Sequence, residues 1–544
     1  MHKPGCSEFL RHRLPVCLLL LLILSFNFAI RWRLRDMPLE RDEGEYAYAG
    51  QLILQGIPPY QVAVNMKFPG VYFAYSLLMA LFGESASGIH VGMILVTSMT
   101  TVLVFMIGCR LTSAAGGLFA AATFVCLSAL PQALGFAAHA THFVSLFVCA
   151  GTLALLIARK KNSSLGWFVS GMAFGLAVLM TQQAVFFPAL SLAWCLWEEF
   201  RRGSSQKPGL LALAFCGGCA APFLVMAAGL ACAGVWNNFI FWTFDYARRY
   251  VSIFPLRAAP GQFAVGFDPI LQSGVWVWFL GIIGLIFVFR KRDWSAPMEL
   301  AGLLFLAGML GACPGFYFRN HYFLMAMPGL ALLNAVALTT VAETLKNTSP
   351  ALWIKPLPLC LAGFIIGNLL VNNCQIWFVS TPWQISRELY GNSPFPESVP
   401  IAEYLRKNTS PNDTIAVLGS EPQIFFLAHR RSASSHIYLY PLTEPQPMAP
   451  EMRRQFIGEI EAARPKFVVF VNILSSWYQV ILPRDSSQST NSIPAWWNNY
   501  STNYLLVGAV DISAGKPSQF FWDEQLLDHA NSSNDSVLIY RRKK

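Results

Sequence analysis

Eleven stretches of this chain are long and apolar enough that only lipid or other helices can cover them. They run roughly over 15–30, 88–108, 113–130, 140–158, 165–181, 183–198, 209–233, 272–289, 298–315, 321–343 and 356–373. An α-helix rises about 1.5 Å per residue, so about 20 apolar residues cross a bilayer core, with shorter cores tolerated at the margins. Inside lipid the backbone must satisfy its own polar groups, and continuous runs of this length do so as helices. The whole chain is 55% hydrophobic and 12% charged, outside the range of soluble enzymes. Its sixteen Trp and forty-two Phe suit a polytopic protein with aromatic belts at the interfaces.

The net charge of +10 does not point to nucleic acid, because the basic residues form no single stripe. They sit in small clusters between apolar runs: Lys3, Arg11 and Arg13; Arg110; Arg159, Lys160 and Lys161; Arg201, Arg202 and Lys207; Arg290, Lys291 and Arg292; Lys346 and Lys355. One arrangement of eleven helices puts every cluster in the cytoplasm, with the N-terminus inside and the C-terminus outside. The first run has the basic flank and short core of a signal peptide. It leads into Arg31-Trp32-Arg33 rather than small residues, which predicts an uncleaved helix. The apolar segment 68–83 would invert all later clusters if it spanned, so it is expected to lie on the outer surface. A more polar helix over 43–56 precedes it in the same outer loop, 31–87.

Composition changes after Cys374. All twelve cysteines lie at or before that position, mostly in apolar runs, which leaves the C-terminal segment without a disulfide framework. Cys216 and Cys219 flank Gly-Gly inside an apolar run with no His or Asp nearby, so they do not suggest zinc. The pattern predicts a membrane domain over 1–375 and a soluble α/β extracytoplasmic domain over 376–544. In the latter, helices are expected at 401–406 and 448–463, and strands at Thr414–Leu418, Ile437–Tyr440, Phe467–Val471, Tyr504–Val507 and Ser536–Tyr540. Asn-x-Ser/Thr triplets at Asn408, Asn412, Asn499, Asn531 and Asn534 matter only in a host that glycosylates them.

The outer loop carries Arg-Asp-Glu-Gly-Glu-Tyr-Ala-Tyr-Ala at 41–49 and Lys67-Phe68-Pro69-Gly70. Carboxylates beside a bilayer need water, a cation or a reaction. Asp42 suits a general base, since partial desolvation raises basicity, and Glu43 suits orienting it, binding an acceptor or holding a metal. The bland alternative is a solvated helix start in which both acids favour the helix dipole. Lys67 can meet a lipid phosphate at the headgroup plane or simply snorkel. Two other outer loops break the rule that such loops carry few arginines. One is Trp236 to Tyr250, with Trp242, Arg248, Arg249 and Tyr250; the other is Phe316 to Tyr322, with Arg319 and His321. An arginine offers two contacts to a phosphate, and Trp242, Tyr250 or Tyr46 can line a sugar site. His139 and His142, three apart at a helix start, could ligate a divalent metal with Asp42 or Glu43, although such pairs are more often interface features.

Asp-Glu-x-x-Tyr-Ala followed by Lys and Pro resembles the first extracytoplasmic loop of GT-C-type polyprenyl-phosphate-sugar glycosyltransferases. That superfamily includes protein O-mannosyltransferases and the lipid A aminoarabinose transferase. The aromatic loop at 236–242 and the segment from Ile401 to Pro422 are similar to the family's corresponding parts. The resemblance implies a multi-pass enzyme, in a bacterial inner membrane, that moves a sugar from a polyprenyl or dolichyl monophosphate. The acceptor is a lipid, glycan or protein hydroxyl or phosphate, and direct displacement implies inversion at the anomeric carbon. With the residue chemistry above, it puts Asp42 and Glu43 in catalysis; Lys67, Arg319, His321, Arg248 and Arg249 at the donor phosphate; and Tyr46, Trp242 and Tyr250 at the substrate. No cofactor is required by it, and a divalent metal is open. Two departures stand out: Phe68 separates Lys67 from Pro69, and Gln182 follows Met180-Thr181 where the aminoarabinose transferase has Lys. A flippase or transporter of a lipid-linked glycan is the alternative, but it needs polar groups through the span rather than at one face. A receptor-like anchor ranks last, since eleven helices exceed what anchoring needs.

Overall fold

The computed structural model describes residues 6–202, 208–290, 297–348, 355–477, 492–513, 515–528 and 535–543. Lys3, Lys207, Lys291, Arg292, Asn531 and Asn534 lie outside these residues, as do the side chains of Arg11, Arg13 and Arg202.

Each of the eleven apolar stretches is helical. Among the described residues, six helices are long and apolar enough to cross a membrane unaided: Leu14–Arg33, Ala86–Leu111, Ala140–Lys161, Pro208–Cys232, Asn320–Asn347 and Leu357–Val379. Leu256–Ser273 and Val275–Arg290 make a seventh only as a pair bent by 98°. Ala114–Ser128, Ser164–Met180 and Glu299–Gly311 are shorter apolar helices. They stop where the chain turns at one end of the bundle: before Pro131, at Thr181 and before Pro314. The protein is thus an integral, multi-pass membrane protein. Asn320–Asn347 is its central helix, with 83% of its apolar window buried, against 17% for each of the first, fourth and last of the six.

The two ends of the bundle differ in chemistry. His139 caps the start of Ala140–Lys161, and Arg159 sits in its last turn. At the Arg159 end, Glu198 lies 3.3 Å from Arg159 and 3.4 Å from Arg201. The first loop, the turns after 128 and 311, and the C-terminal segment gather at the other end. Arg31, buried in the first long helix, fixes part of that end by donating to Ser128 O at 2.8 Å and Gly135 O at 3.0 Å.

The first loop forms two helices, Arg41–Leu54 and Gly70–Phe82. The first starts with a capping box: Glu40 accepts from Glu43 N at 2.9 Å, and Glu43 Oε2 from Glu40 N at 3.1 Å. Gly44 is required by packing, because a Cβ there would lie 2.5 Å from Gln423 N of the C-terminal segment. At Gly70 a Cβ would meet Leu179 O at 2.4 Å, which seats the second helix against Ser164–Met180.

The C-terminal segment carries a six-stranded sheet of β1 (Thr414–Leu418), β2 (Arg431–Ser432), β3 (Phe467–Asn472), β4 (Tyr504–Ile512), β5 (Gln519–Trp522) and β6 (Asp535–Arg542). Their order is β2-β1-β3-β6-β4-β5. The β1 strand is parallel to β2 and β3, with Ile415 opposite Phe467, and the β3–β6, β6–β4 and β4–β5 pairs are antiparallel. Helices Phe395–Lys407 and Ala449–Ala463 occupy the two expected helical runs. The strand expected at Ile437–Tyr440 is absent. All four residues are buried, Leu439 N bonds the Ser420 hydroxyl, and a short helix begins at Tyr440. Burial on both sides makes a run look like a central strand, but here it reflects a loop inserted between the sheet and the membrane helices.

Candidate active site

The first-loop helix sends its acids in different directions. Asp42 and Glu45, three residues apart, share a face, while Glu43 is turned about 100° away. Asp42 Oδ1 accepts from Lys67 Nζ at 2.8 Å and from the Tyr438 hydroxyl at 3.1 Å. Lys67 also donates to Tyr46 OH at 2.7 Å, and its ammonium lies 4.6 Å from the Tyr46 ring centre. Tyr60 OH donates to Lys67 O at 2.7 Å, which fixes the backbone that carries the lysine. Glu45 Oε1 accepts from Tyr72 OH at 2.5 Å, and its Oε2 stands 3.8 Å from Lys67 Nζ.

Glu43 is fully buried and committed. Its Oε1 accepts from Ala138 N at 2.6 Å and lies 2.9 Å from His90 Nε2, while Oε2 serves the capping box. It ties the first loop to the bundle and touches neither cavity described below.

Two cavities meet at Lys67. The more polar, of about 300 Å³, is bounded by Asp42, Asn65, Arg319, His321, Tyr438 and Tyr440, among others. The more apolar, of about 250 Å³, runs past Tyr46, Ala140, Met180, Gln182, Phe186 and Val251. Met66, Lys67, Tyr250, His321 and Tyr322 belong to both walls. Gln182 closes the apolar cavity by donating to Met66 O at 2.8 Å.

His321 Nε2 lies 3.8 Å from Asp42 Oδ2, and its ring stacks on His139 with centres 3.9 Å apart. Asp42, His139 and His321 each bring one ligand atom within 4.8 Å of the others. His139 is buried, and among the described residues neither of its ring nitrogens has a hydrogen-bond partner, Glu40 Oε1 standing 3.8 Å from Nδ1. Two imidazoles and a carboxylate suit zinc in kind, and closing the set to bonds of about 2.1 Å would take a small inward movement. The His139–His142 pairing does not form: His142 Nε2 meets Gly135 O at 3.1 Å, and His321 takes its place beside His139.

Burial raises the Asp42 carboxyl, but Lys67, aided by His321 and His139, more than reverses this and holds it well below the usual carboxylate range. For Glu45 burial wins over Lys67 and pushes the carboxyl up to about 7. At neutral pH Asp42 is therefore fully ionised, while Glu45 on the same helix face is close to the midpoint of its titration and is a carboxylate in about half of the molecules.

Of the residues expected at the phosphate, Lys67, Arg319 and His321 converge. Arg319 lies with its guanidinium 5.6 Å from the Tyr317 ring centre, and Tyr317 stacks on Tyr250 at 4.3 Å. Arg248 and Arg249 do not line either cavity, and Arg248 is exposed. Trp242 is not a cavity wall either, being buried against Tyr246 and His436. The helix Trp236–Ile240 continues through a π-helical turn to Tyr246, which rotates Trp242 toward the C-terminal segment and leaves Tyr250 to face the site. The reading of residues missed the wall supplied by that segment: Tyr390, Phe395, Tyr438, Tyr440 and Ser475. It also missed the tether in which Arg41 donates to Ser420 O at 2.5 Å and Glu421 Oε1 at 2.8 Å. The cluster of tyrosines at 438–440 was visible, but nothing local marks it as belonging beside residue 42.

Residues 66–226 match the model of the dolichyl-phosphate-mannose-protein mannosyltransferase family, less than a third of the chain. No curated protein matches by sequence. Among solved structures, ArnT from Cupriavidus metallidurans, bound to undecaprenyl phosphate, superposes with TM-score 0.59 at 14% identity, covering 97% of this chain and 98% of that one. The Archaeoglobus fulgidus oligosaccharyltransferase tethered to an acceptor peptide gives TM-score 0.58 at 11% identity, over 96% of this chain and 76% of that one. The archaeal oligosaccharyltransferase AglB from Archaeoglobus fulgidus, in complex with an inhibitory peptide and a dolichol-phosphate, gives 0.52 at 12%, over 95% and 75%. Fold and family match agree on a membrane glycosyltransferase. Within that class the architecture is the GT-C type, with its helical bundle and appended C-terminal sheet.

Proposed function

We propose that this protein transfers a sugar from a polyprenyl or dolichyl monophosphate to an acceptor hydroxyl or phosphate outside the cytoplasm, inverting the anomeric centre, with Asp42 as the base. The observation that carries this reading is Lys67, which belongs to both cavities and is paired to an Asp42 that lines only the polar one. The apolar cavity suits the lipid end of the donor, the seam suits its phosphate, and the polar cavity suits the sugar and acceptor. The matched enzymes solved with undecaprenyl phosphate and with dolichol-phosphate support a donor of this kind.

In the reaction the acceptor oxygen attacks the anomeric carbon opposite the phosphate, and its proton passes to Asp42. The sugar–oxygen bond breaks toward the phosphate, leaving a polyprenyl monophosphate whose added charge meets Lys67 and Arg319. Asp42 paired to Lys67 is a weak base. The donor phosphate competes for the ammonium, so its arrival weakens that pair and raises the basicity of Asp42 when it is needed. Asp42, His139 and His321 are the residues that would hold a divalent ion, which would supply a positive centre for the acceptor oxygen. The basic end of the bundle faces the cytoplasm in this reading, which puts the N-terminus inside and the C-terminal segment outside, as in a bacterial inner membrane.

The test incubates purified protein with a panel of polyprenyl-monophosphate sugars and measures release of polyprenyl monophosphate. A processed donor that Asp42→Asn fails to turn over, by about 100-fold or more at unchanged melting temperature, supports the reading. Wild-type turnover in Asp42→Asn removes Asp42 as base.

A further inference from the structure

Glu45 is a buried acid beside Lys67 that the reaction above leaves unused. It is 1% exposed, and only Oε1 is satisfied, by Tyr72. Among the described residues its buried Oε2 has no close hydrogen-bond partner, although the Asn65 side chain also stands beside the carboxyl as a donor. A buried carboxylate oxygen left unpaired is costly, and such an atom in a native fold calls for an explanation, a role in the working site being one. The neighbouring group is Lys67, whose Nζ stands 3.8 Å away, just beyond hydrogen-bond reach. An ammonium has three donors, and among the described residues Lys67 spends two, on Asp42 and Tyr46. The third donor of Lys67 and the open oxygen of Glu45 are each other's missing partner, separated by about 1 Å of movement.

We propose that Glu45 is a positioning residue that forms the second seat of Lys67. This rests on the roles given above to Asp42 and Lys67. When the donor phosphate draws the ammonium off Asp42, Glu45 Oε2 accepts its third hydrogen and retains it at the seam of the two cavities. Asp42 is then released as base without Lys67 leaving the phosphate. Tyr72 holds Glu45 from behind, and Tyr46 keeps the ammonium over its ring in either position, so only a short swing is needed. In the resting geometry the lysine guards the base, and Glu45 is the contact that lets it stand aside.

The test is a double-mutant cycle read by single-turnover kinetics with enzyme in excess, which follows rates reduced by several decades. Glu45→Gln keeps the size and an acceptor for Tyr72 but not the charge. It is expected to slow transfer about tenfold at saturating donor, with donor affinity changed less than about threefold and the melting temperature preserved. Glu45→Asp should recover part of the rate. In a Lys67→Met background, Glu45→Gln should cost less than about twofold, because the residue it acts through is gone. Equal losses in both backgrounds would overturn the proposal, since a merely structural glutamate costs the same with or without Lys67. The reading of the site fails separately: if Lys67→Met alone leaves donor affinity and rate at wild-type levels, Lys67 does not serve the phosphate at all.

Discussion

Asp42 and Glu43 are adjacent in sequence and carry the same charge, yet the fold uses them in opposite ways. Asp42 and its partner Lys67 are each 23% exposed and open on a polar cavity. Glu43 and His90 are 0% and 5% exposed and lie inside the bundle, with Ala138 N completing the set. One ion pair is reachable by substrate and has a competitor for its cation nearby. The other is sealed, held by several hydrogen bonds, and joins the first loop to the Ala86–Leu111 helix and to the turn before Ala140–Lys161. The difference comes from a single residue step on a helix, about 100° of rotation. Adjacent acids in a motif need not share a function.

The comparison breaks most sharply on Glu43. Removing one partner of a buried pair costs roughly 3–5 kcal/mol, so Glu43→Ala should lower the melting temperature strongly and reduce the yield of folded protein. Glu43→Gln, which keeps an acceptor for Ala138 N, should lose less. If Glu43→Ala instead melts like wild type but transfers no sugar, Glu43 belongs to the chemistry and the contrast with Asp42 collapses.

Arg319 extends the reachable side. Losing a charge-assisted contact costs about 1.5–3 kcal/mol, or one to two decades in affinity or rate. Arg319→Ala should therefore weaken binding of polyprenyl monophosphate by that factor, and Arg319→Lys should keep part of it. Equal affinity across the three proteins at matched folding would reduce Arg319 to a packing role against Tyr317.

The smallest effect is expected at Tyr438, which reaches the base from the C-terminal segment. Tyr438→Phe keeps the ring and removes one hydrogen bond to Asp42, worth about 1 kcal/mol, so turnover should fall roughly fivefold with little change in stability. A wild-type rate would mean that this segment encloses the site without orienting the base.

Much of this was legible from residues alone. The apolar runs became helices because lipid leaves them no other way to satisfy their backbone. Arg41–Leu54 and Gly70–Phe82 fall where the outer loop was expected to be helical, and Lys67, Arg319 and His321 gather near Asp42. Other residues misled. Trp242 and Arg248 have the right chemistry in the right loop, but the π-helical turn at Phe241–Tyr246 alters which face each presents, and local composition does not encode that turn. Ile437–Tyr440 reads as a strand because all four positions are apolar or aromatic, whereas its burial comes from contact with another part of the chain.

What the sequence by itself determined is the chain's solvent and its local elements: a membrane protein, helical where apolar, with a sheet-bearing segment after Cys374 and acids capping a helix beside the bilayer. These follow from interactions within a few turns and from the cost of exposing backbone to lipid. Only the tertiary structure decided which acid faces substrate, that His321 rather than His142 joins His139, and that Tyr438 meets Asp42 across 396 positions of chain. Such contacts depend on the rotation and depth of packed helices, where shifts of an ångström or one residue change a partner, and no short-range pattern carries that information.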